Sequence, residues 1–235
     1  MRRSEIISAV VSLLFVGNAF ADLWDVPVAP GETFRWVFVT STKRDATSSS
    51  ISAYNTFVNA VADTTNTSIT GVQGKETIAD IDWRAIASVP AVDARDNIGS
   101  TGSGIYTPLD VLVANNTADL FDGALSYYIN LTERGDLVPS NHPEVEVWTG
   151  TRADGTGFDG RELGTGSYIA GPIYGVSSSL DSQWVRAGGN YGPAVPYRFY
   201  AISEELTAAV VPLPGAVLLG IIGLGYAGMR LRRYA

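Results

Sequence analysis

The sequence predicts an α+β domain with one N-terminal helix, short strands and long loops. Residues 33–40 (TFRWVFVT) are dense in aromatic and β-branched side chains with partial alternation, and residues 197–203 (YRFYAIS) repeat that character near the other end. Between them a single segment, residues 50–62, has helical spacing: Ile51, Tyr54, Phe57, Val58 and Val61 step by three and four behind Ser50 as the cap. One strong helix among many short β-like runs, with no internal repeat, is the pattern of an α+β chain.

The remaining elements follow in order. Residues 22–31 contain two prolines and read as an extended lead-in, and the Ser/Thr-rich residues 42–50 as a loop. Residues 64–74 are polar and end the helix. Residues 83–88 (WRAIAS) form a short strand-like run before Pro90, and residues 93–103 are a Gly/Asp/Asn loop. Residues 105–107 and 111–113 are short strands, and residues 119–123 close on a turn at Gly123. Residues 146–150 form another strand that enters the Gly- and Asp-dense loop 152–166. Residues 183–185 are strand-like, and residues 203–211 are a short acidic linker. Trp36, Trp83, Trp148 and Trp184 all fall in strand-like runs, which assigns them to the core and not to an exposed sugar platform.

The two ends differ from this domain. Residues 1–21 (MRRSEIISAVVSLLFVGNAFA) begin with Arg2 and Arg3, continue through an apolar run, and leave through the small-residue exit Ala19-Phe20-Ala21. Those are the three parts of a secretory signal peptide, with cleavage by signal peptidase expected after Ala21. Residues 210–235 hold Pro212 and Pro214, an uncharged apolar run to Met229, and then Arg230, Arg232 and Arg233. The run is near the minimum for one transmembrane helix, and the arginines mark its cytoplasmic side. Residues 22–209 would then be the exported domain.

The whole chain carries 16 basic and 24 acidic residues, net −8. The leader takes two Arg and one Glu and the tail three Arg, so the part between them holds 11 basic and 23 acidic residues, net −12. That balance repels nucleic acid and anionic polymers, and suits solubility outside the cell or divalent cations. The chain has no cysteine. Thiol catalysis, thiolate metal sites and disulfide staples are therefore excluded, and the domain is held by its apolar core alone.

Two resemblances rest on these residues. Val211-Pro212-Leu213-Pro214, the apolar run behind it and the basic end at Arg230, Arg232 and Arg233 resemble a PEP-CTERM protein-sorting signal, with Leu213 where the namesake pattern has Glu. That resemblance implies an exosortase-like membrane protease as partner, transient anchoring in the membrane, and release to the cell surface or extracellular polysaccharide. A permanent tail anchor is the other reading of the same residues. The middle, through FRWVFVTS (34–41), the helix at 50–62, WRAIAS (83–88), ARDN (94–97), ADLFDG (118–123) and VWTGT (147–151), is similar to bacterial C-type-lectin-like or endostatin-like domains. It implies a helix after the first strand, a loop-rich half and terminal strands that pair. The disulfides of that fold and the calcium-dependent sugar motifs of animal lectins are not present, so calcium-mediated sugar binding does not carry over.

In loop 152–166, Asp154, Asp159 and Glu162 offer hard oxygen ligands among glycines, a candidate calcium site, although the spacing is not that of an EF-hand. Asp93, Asp96 and Asn97 form a second candidate of the same kind. Both loops also read as solvated turns, which is the favoured reading. His142 is the single histidine and sits in a loop, and no nucleophile, zinc-protease or phosphate-loop motif occurs. The expectation is a non-catalytic structural or carbohydrate-binding component of the surface or matrix. The alternative is a secreted hydrolase of extracellular polysaccharide, which requires two carboxylates in a cleft with one raised pKa.

Overall fold

A computed structural model describes residues 23–65, 67–167 and 169–210. The expected signal-peptide exit at Ala19 and Ala21, the expected sorting motif Val211 to Pro214 and the basic end at Arg230, Arg232 and Arg233 lie outside the described residues. So does the expected transmembrane helix. Among the described residues no helix is long and apolar enough to cross a membrane.

The fold is α+β, built on strand β1 (Thr33–Val39). Every β1 residue after Thr33 is buried, which explains why its sequence alternates only partly: both faces of the strand are covered. Phe34, Trp36 and Phe38 face one core, with helix α1 (Ile51–Asp63) against it, while Val37 and Val39 face a second. The first core is an edge-to-face aromatic stack. Trp24 meets Trp36 at 5.2 Å and Trp83 at 5.7 Å, and Phe38 meets Trp83 at 4.8 Å. All four tryptophans assigned to the core are fully buried, and Trp24 joins them.

The main sheet runs β2 (Trp83–Ala85), β7 (Tyr200–Ser203), β1, β3 (Gly104–Tyr106), β4 (Leu112–Ala114). β1 and β3 are parallel and the other neighbours antiparallel. β8 (Leu206–Thr207) continues along β1 beyond β7, but its register is slipped by one residue, so residues 203–205 form a bulge. The Ser203 hydroxyl fills the gap by accepting from the Trp36 N–H at 3.0 Å. Residues 203–211 are thus not only a linker: Leu206 and Thr207 borrow strand structure from β1. The first strand pairs with both closing strands.

α1 buries Tyr54, Val58, Val61 and Ala62, as its spacing predicts. Ser50 occupies the cap position, yet its hydroxyl pairs with Ser52 at 2.8 Å and leaves the helix N–H groups uncapped. The polar side of α1 covers the open edge of β2. Asn59 exchanges two bonds with the Trp83 backbone, at 2.9 and 2.6 Å, and Asn55 accepts from the Ala85 N–H at 3.0 Å.

Three other elements depart from the sequence expectations. The Gly/Asp/Asn loop contains helix α2 (Ala94–Ile98), and the turn before Gly123 contains the short helix α3 (Thr117–Leu120), capped by Asn116. Residues 182–184 form a 3-10 turn, not a strand, because the Asp181 carboxylate accepts from the Gln183 N–H at 2.9 Å. β5 (Glu146–Trp148) pairs with β6 (Tyr174–Val176), a strand without a periodic signal of its own. This two-stranded sheet joins the chain leading into β7 through the Trp148 N–H, which donates to the Arg198 carbonyl at 2.9 Å.

Candidate functional site

The two loops nominated as cation sites pack against each other. Loop 152–166 starts as a tight hairpin: the Arg152 N–H donates to the Thr156 carbonyl at 2.8 Å and the Gly155 N–H to the Arg152 carbonyl at 3.0 Å. Gly155 turns it at φ +82°, and a Cβ there would stand 2.9 Å from the Phe121 ring. The hairpin tip then docks on α2. The Arg95 N–H donates to the Gly155 carbonyl at 3.1 Å, and Asp93 accepts from the Gly157 N–H at 2.7 Å. Asp93 holds the extended cap position of α2, but its carboxylate serves the neighbouring loop and not its own helix.

An open cleft of about 510 Å³ lies where α2, α3 and the hairpin meet. Arg95, Asp96, Ser100, Thr117, Phe121 and Asp154 line it. Asp154 accepts from the Thr156 hydroxyl at 2.6 Å and from the Thr156 N–H at 3.0 Å. Those two bonds hold its carboxyl below the ordinary range, helped by Arg95 and Arg152, so it is an anion at neutral pH. The cleft thus brings together two carboxylates, a guanidinium, the Ser100 hydroxyl and one aromatic residue, while the buried Thr117 hydroxyl is bonded to the backbone at Gly99 and Thr101.

The three acids of the calcium expectation are distributed otherwise. Asp154 is occupied by Thr156. Asp159 is exposed, with Arg152 3.4 Å away. Glu162 is buried under the loop. Among the described residues no group of three His, Asp or Glu side chains is placed to hold a metal ion. In the second candidate, Asp96 reaches the cleft, whereas Asn97 is buried and donates to the Ala85 carbonyl at 2.8 Å.

The far flank of the loop carries a feature that its Asp and Gly content hid. Three guanidiniums surround the Phe158 ring: Arg152 at 4.9 Å from its centroid, Arg186 at 5.1 Å and Arg161 at 5.9 Å. The available signal was the interruption of an acidic chain by Arg152 and Arg161 on either side of an aromatic residue.

His142 pairs its Nδ1 with the Glu146 carboxylate and stacks on Tyr191 at 5.8 Å. Its other ring nitrogen lies 3.4 Å from the Tyr191 hydroxyl, and among the described residues no serine or threonine hydroxyl is its partner. The adjoining Tyr174, Tyr191 and Tyr197 rings have centroids 5.6 to 5.9 Å apart, in ring-to-ring contact with one another. Elsewhere, Asp110 sits at φ +62° on the turn before β4. Burial, then the charge of Asp25, pushes its pKa up to about 7.

No protein-family model matches this chain, and no curated protein matches it.

Proposed function

We propose that the chain is an exported component of the cell surface or extracellular matrix that binds saccharide without turning it over. In this reading residues 1–21 direct export, and residues 210–235 are a sorting tail for an exosortase-like protease. The domain between them is C-type-lectin-like, a reading supported by a helix directly after the first strand and by the pairing of β1 with β7 and β8. The observation that carries the binding reading is the cleft between α2 and the hairpin. Its mixture of charged and hydroxyl groups with one aromatic residue suits a polyhydroxylated ligand better than an apolar one.

The test is equilibrium binding of the full chain, in mild detergent, to the extracellular polysaccharide of the producing cells. Binding with Kd weakened at least tenfold in Asp96→Ala, and with no released sugar, is expected. Absence of binding, with or without calcium, would overturn the reading.

The carboxylate hydrolase is the second reading; Asp110, raised by burial and by Asp25, meets its need for an acid with a raised pKa but does not line the cleft described above. That reading requires release of reducing ends from the same polysaccharide and its loss in Asp110→Asn.

A further inference from the structure

The arginine cluster around Phe158 differs in chemistry from the cleft. Three like charges crowd one ring in a domain whose overall charge is strongly negative. Two of them are fastened. Arg161 donates through Nε to the Gly171 carbonyl at 3.0 Å and through Nη2 to the Gly189 carbonyl. Arg152 donates to the Gly157 carbonyl at 2.6 Å and lies 3.4 Å from the exposed Asp159. The guanidinium of Arg186 is exposed and makes no hydrogen bond or ion pair with any described residue; its partner is the ring face, at 5.1 Å.

Arg161, Arg186, Phe158 and Ile173 line an open depression of about 280 Å³. Its volume suits one sugar ring. It is apolar at Phe158 and the buried Ile173 and cationic at Arg161 and Arg186, with the Arg186 guanidinium over the Phe158 ring. A guanidinium fork matches a planar carboxylate with two parallel hydrogen bonds. Arg161, already held by two carbonyls, loses little freedom on binding. The net negative charge of the domain does not prevent this, because at physiological salt it is screened beyond about 8 Å.

We propose that Arg186 and Arg161 on the Phe158 platform bind the carboxylate of a uronic acid residue in an acidic polysaccharide. For its source of ligand this rests on the saccharide-binding reading above, but it uses a different surface and different residues.

The experiment is binding of the full chain, in mild detergent, to polygalacturonate, dextran and dextran sulfate, beside the polysaccharide of the producing cells. Polygalacturonate is expected to bind at least tenfold more tightly than either dextran polymer. Arg186→Gln should remove that preference with little change in melting temperature, since the side chain's contact is with the Phe158 ring and not with a hydrogen-bond or ion-pair partner among the described residues. Arg186→Lys, which keeps the charge but loses the fork, should restore only part of it. Equal affinity of the parent chain and Arg186→Gln for polygalacturonate would overturn the proposal, as would preference for dextran sulfate. Failure of the broader reading has a separate signature: polygalacturonate binds through Arg186 while the polysaccharide of the producing cells does not bind. The converse, binding of that polysaccharide unaffected by Arg186→Gln, defeats the uronate site alone.

Discussion

Glu133, with no exposed surface, holds Ser41 at the end of β1 by two bonds: it accepts from the Ser41 N–H at 2.9 Å and from the Ser41 hydroxyl. Arg134 stands 3.5 Å from the same carboxylate. A buried carboxyl group is tolerated only where its oxygens are hydrogen-bonded. Glu133→Ala should therefore lose about 2–3 kcal/mol, because it leaves the Ser41 donors without an acceptor. Glu133→Gln keeps one acceptor and should lose about 1 kcal/mol. Urea unfolding of the two variants measures the difference.

Arg35 plays the corresponding role on the second face of β1. It is 1% exposed and donates to the Ser203 carbonyl at 2.7 Å and the Ile98 carbonyl at 2.9 Å. Burial pushes its pKa down to about 10, against the favourable charge of Glu205, so it stays charged at neutral pH. It ties the β-bulge to the end of α2, where helix carbonyls lack partners. Arg35→Met should cost about 3 kcal/mol. Arg35→Lys should recover less than half of that, since one ammonium on a flexible stem does not reproduce the fork. Chemical denaturation reads both.

Asp110 gives a pH dependence of definite sign. Its folded pKa, about 7, lies above the unfolded value, so its contribution to stability is full below about pH 4 and is lost as pH rises through 7. Asp110→Asn removes the titration and accepts the positive φ, because Asn tolerates the left-handed region. With allowance for solvent screening at this partly exposed site, the variant should be more stable than the parent by about 1 kcal/mol at pH 8. At pH 4 the two should be equal. Thermal unfolding across that range would show the curves converging toward acid.

Gly155 links the fold to the cleft. A methyl group there would meet the Phe121 ring at 2.9 Å and the Arg95 Cβ at 3.0 Å, on a backbone at φ +82°. Gly155→Ala should cost about 1–3 kcal/mol and displace the cleft wall. Binding to the polysaccharide of the producing cells should fall at least tenfold in this variant, while Asp110→Asn leaves it unchanged.

What the sequence made legible and what it did not has a physical division. β1, α1 and β7 announce themselves because their own side chains carry the pattern: Phe34, Trp36 and Phe38 on one face, and Tyr54, Val58 and Val61 at helical steps. The four core tryptophans were legible for the same reason. α2 was not, because it is five residues long and is secured from outside, by Gly155 and by the Ser88 hydroxyl that accepts from the Ala94 N–H at 2.9 Å. β8 was not, because Leu206 and Thr207 are a strand only beside β1. At the candidate site, the Asp and Gly residues of loop 152–166 drew attention to cations, but Asp154 is engaged with Thr156 and Glu162 is buried. The arginines form a cluster only through folding, which brings Arg186 from a distant segment to the Phe158 ring.

The most direct measurement on the central proposal, export to the surface or matrix, is the intact mass of the protein recovered from the producing cells and their medium. Export and sorting predict a chain that begins at Asp22, lacks the end bearing Arg230, Arg232 and Arg233, and is found in the matrix fraction. A chain that retains Met1 and residues 2–21 and stays inside the cell would contradict it.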